Sequence, residues 1–394
     1  MQILIVGAGI GGLTLASALR HTDHSLDLVE RSVDFDIPGC GIVLHPNGLE
    51  ALSHLGLADA VCRLGNLLLR LEIHRGNSAL TLSLSEIWHG KGATFAIART
   101  ALHELLHRAA LDPSAALGAS VRADTTARLR MGCRVVAIES PASRPIAHFD
   151  DGSRATYDLI VGADGVHSAV RSALCPASSA VSTDLFYFRF LARNSIGLAQ
   201  DTWVTHERPG ASYGFIPVGA DCLHCFVQVQ TSVAPCKPEG AAEYFAQTFL
   251  AWSAELAQVF ADRSTHVHAA FANMVRPVTW GDGACALLGD AAHAVSPTLS
   301  EGGSLAIEDA LVLSRALAQS ASVSSATQLY RAQRRDRVAW AHRMALAQTN
   351  SLKNAKARPA PDAEVALRHL QQVYRPLAQS ALPDASSLST FAID

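Results

Sequence analysis

Three stretches of this chain place chemically useful residues at informative spacing. The first is Gly7-Ala8-Gly9-Ile10-Gly11-Gly12, followed later by Glu30. Gly7 permits a tight turn, Gly9 removes the side chain that would block a pyrophosphate, and Gly12 lets a helix approach the preceding strand. Glu30 is a carboxylate able to accept two hydrogen bonds from a ribose diol. The second stretch, Asp158 to Arg171 (DLIVGADGVHSAVR), sets Asp164 between glycines. The third, Leu288 to Ala310 (LLGDAAHAVSPTLSEGGSLAIEDA), holds Gly289-Asp290, Pro297 and the pair Gly302-Gly303. An aspartate just after a buried strand lies at the carboxyl edge of an α/β sheet, where it can bind sugar or ribityl hydroxyls. Gly302 and Gly303 open a helix whose bare N–H groups can face an anion. Glu308 and Asp309 fall in its first two turns and suit the helix dipole.

These groups need a scaffold, and the hydrophobic pattern supplies one. Ile3 to Val6 forms a buried parallel strand, Leu13, Ala16 and Leu19 have helical spacing, and Leu26 to Val29 is a second strand ending on Glu30. Strand, glycine turn, helix, strand and acid make a dinucleotide-binding unit. Leu159 to Val161 and Ala284 to Leu288 are the strands that deliver Asp164 and Asp290. Pro46-Asn47 opens a helix through Leu49, Leu52 and Leu55 that Gly56 closes. Residues 68–84 form a hairpin turning at Gly76-Asn77, and 98–110 form a helix with Arg99 at its start. Arg134 to Glu139 is a strand, and Pro145 to Phe149 pairs with it or with a neighbour. From about residue 180 the texture changes: 185–191, 202–206, 212–218 and 223–230 read as strands of one antiparallel sheet. Residues 241–260 follow as one helix and 266–271 as a last strand. Residues 302–319 are helical, and 325–352 are a long helix whose Arg331, Arg334, Arg335 and Arg337 form a solvated face. A linker at 356–362 leads to a final helix ending near Ser380. The fold expected is α/β. A discontinuous Rossmann-like domain (1–72, 93–180 and 276–320) carries an inserted, mainly antiparallel β-sheet substrate domain (73–92 and 181–275). A C-terminal helical segment (321–394) completes it.

Composition narrows the function classes. A chain of 394 residues exceeds the usual reach of one core. Its net charge of −3 offers no basic surface for nucleic acid. Eight cysteines lie scattered without framework spacing. Cys222 and Cys225 make a lone CxxC with no second pair, so they are expected in a strand as small hydrophobes, and no metal site is expected. No apolar run approaches the ~20 residues needed to span a bilayer. The first strand begins at Gln2, which leaves no room for a signal peptide, so a cytoplasmic protein is expected.

Together the three stretches resemble the single-component (group A) FAD-dependent aromatic hydroxylases, the para-hydroxybenzoate hydroxylase-like family, over about residues 1–345. The strand, Pro-Asn helix and glycine-pair details are most similar to the urate and salicylate hydroxylase-like branch. The resemblance makes the first domain an FAD-binding domain. It implies cofactor contacts from Gly7, Gly9, Gly12, Glu30, Arg31, Val43, Arg99 and Val136. It implies others from Asp164 in an Asp-Gly motif, and from Asp290, Pro297, Gly302 and Gly303 in a Gly-Asp motif. It further implies that NAD(P)H reduces FAD, that O2 adds to give a flavin C4a-hydroperoxide, and that an aromatic or heteroaromatic ring is hydroxylated. No second glycine fingerprint exists, so NADH or NADPH must dock transiently. Baeyer–Villiger oxygenation, epoxidation or a non-oxygenase flavoprotein reaction remain open on the same scaffold. The assembly is expected to be a monomer or homodimer.

One motif departs from the family. Gly-Gln-Gly-x-Asn is usual after the proline, whereas this chain has Ser300-Glu301-Gly302-Gly303-Ser304. Glu301 is expected to point to solvent, the alternative being a protonated or paired carboxyl. A dry aromatic pocket is needed, and Phe186, Phe188, Tyr213, Phe215 and Phe226 of the sheet are candidates to line it. A phenol reacts better as phenolate, which makes His45, His224 and Arg189 the catalytic candidates among seventeen histidines and the few sheet arginines. Strand alternation puts Ser212, Gly214, Ile216, His224 and Phe226 on one face. His293 is expected to be structural. With only Arg189, Arg193 and Arg208 on the sheet, a neutral or weakly charged ring is the expected substrate.

Overall fold

The computed structural model describes residues 1–35, 39–111, 127–139, 144–233, 240–276, 280–353 and 362–375. Cys236, most of the expected linker and the end of the expected final helix lie outside them. The chain opens with β1 (Gln2–Val6), α1 (Ile10–Leu19) and β2 (Ser25–Val29). Then come β3 (Gly41–Leu44), α2 (Pro46–His54), α3 (Ala58–Leu64) and β4 (Asn66–Leu68). A hairpin of β5 (Arg70–Arg75) and β6 (Ser78–Ser83) runs into α4 (Leu84–Ile87), β7 (Thr94–Ala98) and α5 (Arg99–Leu111). Five short strands follow as far as α6: β8 (Arg128–Arg130), β9 (Val135–Glu139), β10 (Ile146–Phe149), β11 (Arg154–Thr156) and β12 (Leu159–Gly162). After α6 (Ala169–Leu174) come β13 (Ala180–Arg193), β14 (Thr202–Arg208), β15 (Ala211–Gly219) and β16 (Cys222–Gln230). Two helices, α7 (Ala241–Phe249) and α8 (Ala254–Ala261), precede β17 (His268–Val275). The chain returns through β18 (Gly281–Asp282), β19 (Cys285–Leu287) and α9 (Asp290–His293) to α10 (Gly302–Gln319), α11 (Val323–Lys353) and α12 (Ala363–Tyr374).

The first sheet has the order β18-β19-β12-β1-β2-β8 and is parallel except at β18. Ile3, Leu4 and Ile5 are fully buried because helices cover both faces of such a sheet, and that is why β1 is a continuous apolar run. α1 packs against α10 and α5. The second sheet has the order β17-β13-β16-β15-β14-β5-β6, antiparallel except where β14 runs parallel to β5. It therefore takes its last two strands from the N-terminal part of the chain. A small sheet, β3-β7-β4, joins the two halves. None of its three strands was expected from the sequence.

Three expectations are corrected. The helix expected over 241–260 is broken at Ser253, whose extended backbone and hydroxyl cap start α8 afresh. Phe186, Phe188 and Phe215 are not among the residues lining the cavity described below; they pack with Phe245, Phe249 and Phe260 in the core behind the second sheet. The arginine face of α11 is only partly solvated, since Arg334 is fully buried.

Candidate active site

One cavity of about 2050 Å³ runs from the glycine turn of β1–α1 along the carboxyl edge of the parallel sheet and over the open face of the second sheet. Gly9 and Gly11 line it, with Arg31, Val43, Arg99, Asp164, Asp290, Pro297, Gly302 and Gly303. Gly7 and Gly12 serve the scaffold instead. Gly7 has φ +104°, and a Cβ there would stand 2.5 Å from the Ala163 carbonyl oxygen. A Cβ on Gly12 would overlap the Gly7 carbonyl. A Cβ on Gly9 would meet nothing within 4 Å, so that backbone is bare toward the cavity. Glu30 accepts hydrogen bonds from the N–H groups of Ala8 at 2.9 Å and Ser32 at 3.0 Å, which places its carboxylate beside the turn. Val136 lies on β9, exposed and outside the cavity lining.

Asp164 Oδ2 accepts from the N–H groups of Ala169 at 2.7 Å and Val170 at 3.3 Å, fixing the start of α6. Its Oδ1 has no partner, and burial pushes the carboxyl above the ordinary range. Asp290, at the N-terminus of α9, lines the cavity. The beginnings of two full-length helices, α1 and α10, thus bracket two carboxylates in one crevice. Free N–H groups for a diphosphate, acids for ribose and ribityl hydroxyls, and a bare helix start for an electron-rich ring edge fit FAD.

The Gly-Asp turn is held from behind by a buried ionic cluster. Asp309 Oδ2 accepts from the Gly289 N–H at 2.8 Å and lies 2.5 Å from His293 Nε2. Arg334 reaches Asp309 Oδ1 and Glu308 Oε2, both at 2.6 Å, and Arg337 reaches Glu308 at 3.3 Å. Burial pushes the Asp309 carboxyl up, yet His293 and Arg334 outweigh it and hold the group down at about 2. His293 is buried against Asp309 and does not line the cavity. Glu308 and Asp309 answer to arginines of α11 more than to a helix dipole. A signal was present: α10 is apolar nearly all round, and acids on such a helix need buried cations.

Glu301 does not point to solvent. It is fully buried; Asn47 Nδ2 lies 3.4 Å from its Oε2, and His45 Nε2 lies 3.7 Å from its Oε1. Burial, then the neighbouring Glu308, push its carboxyl up to about 8, so it carries a proton at neutral pH. Ser300, where the family usually has glycine, takes φ +55°. Ser304 Oγ accepts from the His45 N–H at 3.3 Å.

The second sheet floors the rest of the cavity in rows set by strand register. One row is Leu80, Ile73, Thr205, Gly214, Phe226 and Arg189. Beside it on one side run Leu71, Trp203, Ile216 and His224, and on the other Arg75, Glu207, Ser212, Gln228 and Tyr187. All of these except Gly214 line the cavity, as alternation implied for Ser212, Ile216, His224 and Phe226. Tyr213 also lines it. The Phe226 ring lies where a Cβ on Gly214 would stand, 2.9 Å from its Cζ. Burial, then Arg189, push His224 down to about 3. Burial pushes His45 down to about 4, and its Nε2 faces the Leu299 carbonyl at 3.2 Å. Trp88 and Tyr374 stand 5.1 and 5.8 Å from the His45 ring. Tyr374, on α12, was not among the sequence candidates; the apolar side Ala366, Leu367, Leu370, Val373 and Tyr374 was the signal for it.

No helix among the described residues is long and apolar enough to cross a membrane. Residues 1–345 match the FAD binding domain family. Aurachin C monooxygenase/isomerase of Stigmatella aurantiaca is 31% identical over 352 residues, covering 86% of each chain. FAD-dependent urate hydroxylase of Klebsiella pneumoniae is 29% identical over 364 residues, covering 86% of this chain and 87% of that one. The solved structure of a Klebsiella pneumoniae HpxO variant with FAD superposes with TM-score 0.80 at 24% identity, over 96% of both chains. The chain belongs to the FAD binding domain family of flavin-dependent aromatic hydroxylases and is an NAD(P)H-dependent flavoprotein monooxygenase.

Proposed function

We propose that this monooxygenase hydroxylates a neutral or weakly charged aromatic ring bound on the sheet floor beside His224 and Arg189, with His45 at the cofactor edge. The carrying observation is that a single cavity joins Gly9, Asp290 and Gly302 to His224 and Arg189. FAD, reduced by NAD(P)H, supplies the activation of O2. The chain's residues do the rest. The N–H groups at Gly302 and Gly303, with α10 behind them, stabilise negative charge at the ring edge. Gly9 and the start of α1 take the diphosphate, Glu30 the ribose, and Asp290 the ribityl chain; Arg31 and Arg99 add positive charge. Asp164 keeps the α6 start beside the crevice. Both histidines are neutral at pH 7. Since the His45 Nε2 hydrogen belongs to the Leu299 carbonyl, its Nδ1 is left as the proton acceptor. Arg189 stabilises a phenolate. Trp88, Trp203, Phe226 and Tyr374 exclude water.

We assign residues 1–69, 93–180 and 276–320 to cofactor binding and the second sheet, with all of β5, to substrate. Because elements of one chain wall the cavity, a monomer or homodimer suffices, and dependence on NAD(P)H suits a cytoplasmic setting. The test is a panel of aromatic substrates on FAD-loaded protein, following NAD(P)H consumption, peroxide release and product. Ring hydroxylation coupled to NAD(P)H consumption is expected. Ring-expanded or epoxide products, or consumption indifferent to substrate, would overturn the proposal.

A further inference from the structure

The two ends of the sheet floor differ in chemistry. Arg189 on β13 and Ile73 on β5 stand in one row, separated by four strand spacings. That is roughly 19 Å, much longer than one aromatic ring. The β13 end is polar, with Arg189, Gln228, Tyr187 and His224. It also adjoins the cofactor side, because a Cβ on Gly41 of β3 would stand 2.6 Å from the His224 Cβ. The β5 end carries Leu71, Ile73, Leu80 and Trp203, beneath Leu84 and Ile87 of α4. Leu71, Ile73 and Trp203 pack on a hydrophobic core yet stay only partly buried, and they line the cavity. Large apolar side chains left open inside a cavity lose stabilisation of about 25 cal/mol per Å² until something apolar covers them.

We propose that the substrate is bipartite, a polar aromatic head at the β13 end joined to an apolar tail of several carbons lying along Trp203, Leu71, Ile73 and Leu80. The head meets several groups that donate or accept hydrogen bonds, and in the two apolar rows the tail meets only the Thr205 hydroxyl and the indole N–H of Trp203. The row beside this lobe carries Arg75 and Glu207, which pair with each other. Head and tail also fix direction: burying the tail leaves the ring at the cofactor edge, the end where oxygen is transferred. This inference rests on the hydroxylase reading and adds the shape of its substrate.

The probes are the n-alkyl esters of 4-hydroxybenzoate, methyl to octyl, titrated into FAD-loaded protein and followed by the change in flavin absorbance. Kd should fall about fourfold per methylene until the chain spans the lobe and then level off. Ile73→Trp fills the lobe, so the levelling should come at a shorter chain. A Kd that is flat or rises along the series, or no binding by any ester, overturns the proposal. If Ile73→Trp does not fold, the series on the unaltered protein decides alone. A flat series on yellow protein removes the tail only, whereas protein that refuses FAD removes the hydroxylase reading beneath it.

Discussion

The two halves of the cavity are made of different material. On the crevice side the groups facing the ligand are backbone N–H groups, glycines and carboxylates anchored by backbone, as Asp164 is by Ala169 and Val170. On the sheet side they are side chains whose position depends on strand register, such as Phe226 over Gly214. A cofactor of constant structure suits the first kind of wall. A substrate that varies between relatives suits the second, because a few changes along one row alter the pocket without disturbing the crevice.

That contrast is broken most severely from behind the crevice. Arg334→Ala leaves the buried Glu308 with only Arg337, and the buried Asp309 with only His293, as a cationic partner. It should cost about 3–5 kcal/mol in urea unfolding, and it should weaken FAD binding because Asp309 holds the Gly289 turn. Near-native stability would mean that the cluster does not support the crevice. A smaller pair of changes separates scaffold from ligand wall. Gly12→Ala forces a Cβ onto the Gly7 carbonyl and should destabilise even the cofactor-free protein by about 1–3 kcal/mol. Gly9→Ala has open space, so it should keep stability and lose FAD affinity in titration. Phe226→Ala is the counterpart on the sheet: FAD affinity is kept and aromatic substrates bind more weakly. If Gly9→Ala and Phe226→Ala shifted the same measurement, the division between the halves would fall.

The same division explains what the sequence could tell. The crevice was legible because its requirements are local: a glycine where no Cβ fits, an acid after a strand. Gly7, Gly12, Asp164 and Asp290 needed only their neighbours to be read. The sheet floor was legible where alternation sufficed, as for His224 and Ser212, and opaque where the face had to be chosen. Phe186 and Phe188 alternate as well as Tyr187 and Arg189 do, and only the packing of α7 and α8 decides which pair is core. Arg334 and Glu301 misled for a related reason. Each carries a charge that sequence logic sends to solvent, and each is buried by partners distant in the chain.

Glu301 allows a measurement where the halves meet. Its folded-state value, about 8, lies above the ordinary carboxylate range. Its contribution to stability is therefore fully present below about pH 4.5 and lost as pH rises through 8. His45, held down at about 4, works the other way: its contribution is lost as pH falls from about 6.5 through 4. Of these two groups, only Glu301 still changes its charge above about pH 6.5. Glu301 should contribute a loss of about 1–2 kcal/mol between pH 6.5 and 8 in the holoprotein, and Glu301→Gln should remove that share of the slope. An unchanged slope in Glu301→Gln would show that the proton is held elsewhere.

The smallest expected effect lies one residue earlier. Ser300 closes the turn after Pro297 through its N–H to the Pro297 carbonyl at 3.0 Å, and does so at φ +55°. A residue with a Cβ loses about 1–2 kcal/mol in that region, and glycine would recover it. Glycine also gains freedom in the unfolded chain, which takes back about 0.4–1 kcal/mol. Ser300→Gly should therefore stabilise the protein by about 0.5 kcal/mol, measured by urea unfolding, with substrate affinity unchanged because the backbone path is the same. The crevice would then behave as a wall of backbone even where this chain departs from the usual glycine. Loss of stability would instead assign the serine hydroxyl a contact with the bound cofactor, and the side-chain character of the sheet half would extend into the crevice.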